Sequence, residues 1–81
     1  MPDHRSPAYL HDLLAAQVRS RRHALGVSQE ELADRCGLHR TYVSDIERAT
    51  RNVSLSTLEL LASGLECEAS ELLTDHRLST G

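Results

Sequence analysis

The segment Ser28-Gln29-Glu30-Glu31-Leu32-Ala33-Asp34-Arg35-Cys36-Gly37-Leu38-His39-Arg40-Thr41-Tyr42-Val43-Ser44-Asp45-Ile46-Glu47-Arg48 encodes two short helices and the turn between them. Ser28 followed three residues later by Glu31 is a capping box, which predicts a helix from Gln29 to Cys36. Gly37 ends it, because glycine enters the left-handed conformation of a helix C-terminus without steric cost. A further helix is predicted over Arg40 to Arg48, burying Val43 and Ile46, three residues apart. So short a connection forces the two helices to cross steeply. Ala33 then faces the neighbouring helix where a larger side chain would push the pair apart. Leu32, Cys36, Leu38, Val43 and Ile46 fill the wedge. The exposed remainder, His39, Arg40, Thr41, Tyr42, Ser44, Asp45 and Arg48, is mostly hydrogen-bonding side chains.

Outward from this pair the chain stays helical. Leu10, Leu13, Leu14, Val18 and Leu25 recur at helical spacing, predicting a helix from Ala8 to Leu25 that stops at Gly26. Downstream, Ala49 to Val53 is a polar loop. Ser54 caps a helix whose Leu55, Leu58, Leu61 and Ala62 share a face ending at Gly64, and a last short helix over Ala69 to Thr74 carries Leu72 and Leu73. Residues 1–7, which hold both prolines, read as a flexible N-terminal arm, and residues 75–81 as a frayed C-terminal tail. One domain over residues 8–74 remains, with five helices. Composition agrees: two Tyr, no Phe and no Trp leave Leu, Val, Ile and Ala to build the core, and no proline follows Pro7. The fold class is all-α, and the steeply crossed central pair is a helix-turn-helix.

Several functions are excluded. No apolar run reaches the ~20 residues that span a bilayer, and no apolar signal core follows the N-terminus, so a cytoplasmic protein without membrane partners is expected. Cys36 and Cys67 are isolated, and His4, His11, His23, His39 and His76 are scattered, so no metal site, disulfide framework or cofactor is expected. No nucleophile–base motif or phosphate loop occurs, so no catalytic residues and no enzyme activity are expected. The net charge of −3 hides a polarised chain. Residues 19–51 carry seven Arg against five acids, whereas residues 52–81 carry one Arg against five. All nine basic residues are Arg, whose planar fork suits phosphate and guanine, although GC-rich coding produces the same usage.

The motifs Ser28-Gln29-Glu30-Glu31-Leu32-Ala33, Gly37-Leu38, Asp45-Ile46-Glu47-Arg48, Arg51-Asn52-Val53-Ser54-Leu55 and Leu58-Glu59-Leu60-Leu61-Ala62 resemble the Cro/repressor (XRE) helix-turn-helix family. The run His39 to Arg48 followed by Arg51-Asn52 is most similar to the controller proteins of restriction–modification systems. The resemblance implies a five-helix, lambda-repressor-like DNA-binding domain. It also implies base contacts from Arg40, Thr41, Ser44 and Asp45, and backbone contacts from Ser28, Gln29, His39, Tyr42, Arg48, Arg51 and Asn52. Arg22 and Glu47 match a family pair that forms a buried ion bridge. Many members carry Gly after the Glu-Arg pair, where this chain has Ala49.

Duller roles stand beside these. Arg40 is otherwise a solvated charge, Thr41 and Gln29 otherwise cap locally, Tyr42 otherwise covers the core, and Asp45 otherwise pairs with a neighbouring Arg. The function expected is a sequence-specific transcription regulator acting as a homodimer on a palindromic operator, with double-stranded DNA, a second copy and RNA polymerase as partners. The alternative is a protein-interaction module, an antitoxin or coactivator using the same fold without reading bases. One short helix reads too few base pairs to find a genomic site, so half-sites about 34 Å apart are expected. Leu65, Leu72 and Leu73, with Glu68 and Glu71, are the expected dimer contacts, with capping of the monomer core as the alternative for the leucines. No effector domain is expected after residue 74, so activity should follow protein concentration.

Overall fold

In a computed structural model, residues 7–75 are described. They form four α-helices, α1 Pro7–Leu25, α2 Gln29–Cys36, α3 Arg40–Glu47 and α4 Leu55–Gly64, followed by a 3-10 helix, Ala69–Leu73. The fifth element is therefore not an α-helix. Its length of five residues is too short for the cooperative i→i+4 ladder, so the tighter 3-10 turn prevails. Glu68 and Glu71 hold its start in a reciprocal capping box. The expected arm over residues 1–7 lies outside the described residues except Pro7. That residue opens α1, where a missing N–H costs nothing.

Local chemistry sets the other boundaries. Ser28 and Ser54 accept the amide hydrogens of Glu31 and Thr57, starting α2 and α4. Gly37, at φ 70°, closes α2, with Leu38 N–H bonded back to Ala33 at 2.9 Å. Gly64 has a different task. A Cβ there would collide with Cys36 Sγ, so this glycine is where α4 closes against α2. The left-handed residue after α4 is instead Glu66.

Leu32, Val43, Ile46 and Leu61 sit at the centre, with Val18 from α1 and Leu72 from the 3-10 helix. α3 packs on both α1 and α2, and α4 and the 3-10 helix close the far side. In α1 the buried stripe is Leu14, Ala15 and Val18, while Leu10 and Leu25, expected inside, are exposed. Leu65 and Leu72 are core residues, at 3% and 0% exposure. They cannot supply dimer contacts, because the monomer already buries them. Asp75, expected to fray, is buried and accepts the Tyr9 hydroxyl at 2.8 Å. The rest of the expected tail, 76–81, lies outside the described residues.

Candidate nucleic-acid interface

The crossing of α2 and α3 is locked from behind by Glu47, which is 4% exposed. Arg22 reaches its carboxylate through Nε at 2.7 Å and Nη2 at 3.1 Å, and donates Nη1 to Val27 O at 3.0 Å. Gln29 Nε2 donates to the same carboxylate at 3.1 Å, and Arg19 donates to the Glu47 carbonyl. The expected Arg22–Glu47 bridge is therefore present and ties α1, α2 and α3 together. Burial pushes the Glu47 carboxyl up, but the bonds from Arg22 and Gln29 and the charges of Arg22 and Arg19 together bring it below its ordinary value. The hydrogen bonds that Arg22 donates to Glu47 raise Arg22 in turn.

On the outer side, α3 presents His39, Arg40 and Thr41 in the open at its start, with Ser44 half-buried one turn on. His39 occupies the N-cap position but makes no side-chain capping bond. Arg40 is, among the described arginines, the one with neither an ion pair nor a hydrogen bond. Each other described Arg is engaged: Arg21 by Glu71, Arg35 by Glu31 and Glu66, and Arg48 and Arg51 by Asp45, beside Arg19 and Arg22 above. The basic central segment is thus no bare positive patch. Its one unpaired guanidinium stands at the start of the exposed helix.

Asp45 follows the second of the two readings the sequence left open. Its carboxylate accepts Arg48 Nη2 at 2.5 Å and Arg51 Nη2 at 2.9 Å. These bonds, that from Arg51 foremost, hold the carboxyl below its ordinary value. Tyr42 both covers the core and supports the loop: Arg51 lies 4.6 Å above its ring, and its hydroxyl reaches Asn52 O at 3.5 Å. Ser28 caps α2, and Gln29, for which local capping was the alternative, instead donates to the Glu47 carboxylate. Among residues expected at a dimer contact, Glu71 is paired within the chain to Arg21 at 3.0 Å and Leu73 is exposed. Ala49 has φ 59°, the left-handed geometry that glycine supplies elsewhere.

Sequence reading missed three features. The Arg51–Tyr42 stack depends on how residues 49–52 fold back, which no periodicity encodes. The Tyr9–Asp75 bond spans the chain ends. The Gly64–Cys36 approach had only the small residues as its signal. No group of three or more His, Cys, Asp and Glu among the described residues is placed to hold a metal ion, and burial pushes both thiols up. No described helix is long and apolar enough to cross a membrane.

A second helix held at a fixed angle by a buried ion bridge, with its outer face open, is the arrangement by which a helix-turn-helix presents that helix to DNA. The helix-turn-helix family pattern matches residues 18–72. The control protein C.SmaI of Serratia marcescens is 51% identical over 63 residues, covering 78% of this chain and 75% of that protein. A hypothetical transcription factor from Neisseria superposes with a TM-score of 0.84 at 42% identity, covering 100% of this chain and 92% of the other. The restriction–modification controller protein C.AhdI of Aeromonas hydrophila does so at 0.74 and 44%, covering 76% and 94%. The chain belongs to the XRE-type helix-turn-helix family of transcription regulators, and its relatives include restriction–modification controllers.

Proposed function

We propose that this chain is a controller-type regulator that works by binding rather than catalysis, in the cytoplasm, as a homodimer on a palindromic operator. The observation that carries this reading is Arg40, exposed and unpaired on the first turn of α3. Its fork fits guanine O6 and N7, Thr41 beside it fits a thymine methyl or a phosphate, and Ser44 follows one turn on. His39, Tyr42, Arg48, Arg51 and Asn52 are the proposed DNA-backbone contacts beside these. Ser28 and Gln29 join them at the start of α2, where their bonds to Glu31 N–H and Glu47 leave a polar atom over. Resemblance to controllers gives repression and activation on adjacent sites at different protein concentrations, with RNA polymerase as the partner in activation.

Dimerisation needs a surface other than Leu65 and Leu72. Leu10, Leu55 and Leu73 are exposed and border a groove of about 290 Å³ with His11, Leu14, Val53 and Leu58. A second copy is the proposed occupant. One α3 specifies too few base pairs, and a two-fold pairing sets this apolar patch against itself.

Electrophoretic binding to duplex from upstream of the chain's own gene, titrated with salt, tests the reading. Tight binding whose log K falls linearly with log salt is expected. Absence of salt-dependent binding to any duplex would instead indicate the protein-interaction module. A neighbouring endonuclease or methyltransferase gene supports the controller role.

A further inference from the structure

We propose that Asp45 is a positioning residue that stands in for a DNA phosphate, holding Arg48 and Arg51 so that duplex of any sequence gains little from their charge. The proposal rests on the DNA-binding reading above. Both carboxylate oxygens are occupied, Oδ1 by Arg48 and Oδ2 by Arg51. The carboxylate lies inward at 18% exposure, while Arg48 and Arg51 are 63% and 44% exposed outside it. Two donors converging on one anion is also how arginines hold a phosphate.

The surroundings keep this latch closed. Thr50 donates both its backbone N–H and its hydroxyl to Asp45 O, at 3.0 and 3.1 Å, folding the loop back onto α3. The Tyr42 ring lies beneath Arg51. A carboxylate in the middle of a face that meets a polyanion opposes binding, yet here it sits between the two arginines of that face. The trio carries a net charge of +1 where two free arginines would carry +2.

That single charge acts on the sequence-independent part of affinity. Each neutralised phosphate adds about 0.9 to the slope of log K against log salt, which is roughly a tenfold change in affinity near 0.1 M salt. Arg40 stands outside the latch, free to meet a base edge. Asp45 thus lowers the sequence-independent part of affinity while leaving the base-reading arginine untouched. Asp45 acts through Arg48 and Arg51, so it is a positioning residue.

The test is fluorescence anisotropy of a labelled random-sequence duplex with wild type, D45N, D45E and D45N/R51A over a range of salt. D45N should bind about tenfold tighter near 0.1 M salt, with a slope steeper by about one. D45E should stay near wild type, and D45N/R51A should lose the gain, showing that it passes through the freed arginine. If D45N loses its helical circular dichroism, D45S carries the same comparison. Unchanged or weaker binding by a folded D45N or D45S overturns the proposal while leaving the regulator reading intact. Failure of every form, wild type included, to bind any duplex at low salt overturns both.

Discussion

Ala49 holds φ at 59° because the chain must reverse after α3, and Ala49 N–H is bonded to Ile46 O at 3.0 Å there. An alanine in this region costs about 1 kcal/mol relative to glycine. Ala49→Gly should therefore raise stability by about 1 kcal/mol, or roughly 4–8 °C in Tm for a domain of this size. A lower Tm would show that the loop is not strained. Glu47 gives the second prediction. Its folded carboxyl lies below the ordinary value of 4.5, so its stabilisation is complete above that pH and is lost as pH falls through the folded value. Urea midpoints should therefore fall as the pH drops below about 4.5, and Glu47→Gln should flatten that part of the decline. Stranding a buried charge costs about 3–5 kcal/mol, so Arg22→Ala should melt far below wild type. A melting curve barely changed by Arg22→Ala would contradict the bridge.

Between elements, the contact of α4 with α2 depends on the missing side chain of Gly64. Gly64→Ala drives a methyl into Cys36 Sγ, an overpacking of about 1–3 kcal/mol. Cys36→Ala removes that sulfur, so the double variant should lose less stability than the two single losses combined. Additive losses in denaturant melts would show that the helices can slide apart. Elements with strong local signals were legible in the sequence. α2 and α4 begin and end where their serines, Gly37 and the apolar spacing place them, and Arg22–Glu47 is where the family resemblance put it. What failed was long-range. Spacing shows that Leu65 and Leu72 are apolar, but only the folded chain shows that α4 and α1 leave a hole for them. Composition shows seven arginines in residues 19–51, but only the structure shows that Arg40 alone among the described ones is unpaired.

At the scale of the whole molecule, the proposed dimer rests on the leucines left outside. Leu55 is 80% exposed and Leu73 stands across the same groove, so a charge there should separate subunits without unfolding either. Sedimentation velocity should show a dimer for wild type at micromolar concentration and a monomer for Leu55→Glu with unchanged helical content. A wild-type monomer that still binds a palindrome tightly would overturn the dimer. Reading bases through α3 is tested by titrating wild type and Arg40→Ala against the duplex from upstream of the gene and against random duplex at the same salt. The variant should lose roughly 1–3 kcal/mol on the first and clearly less on the second. Equal losses on both duplexes would contradict base reading by Arg40.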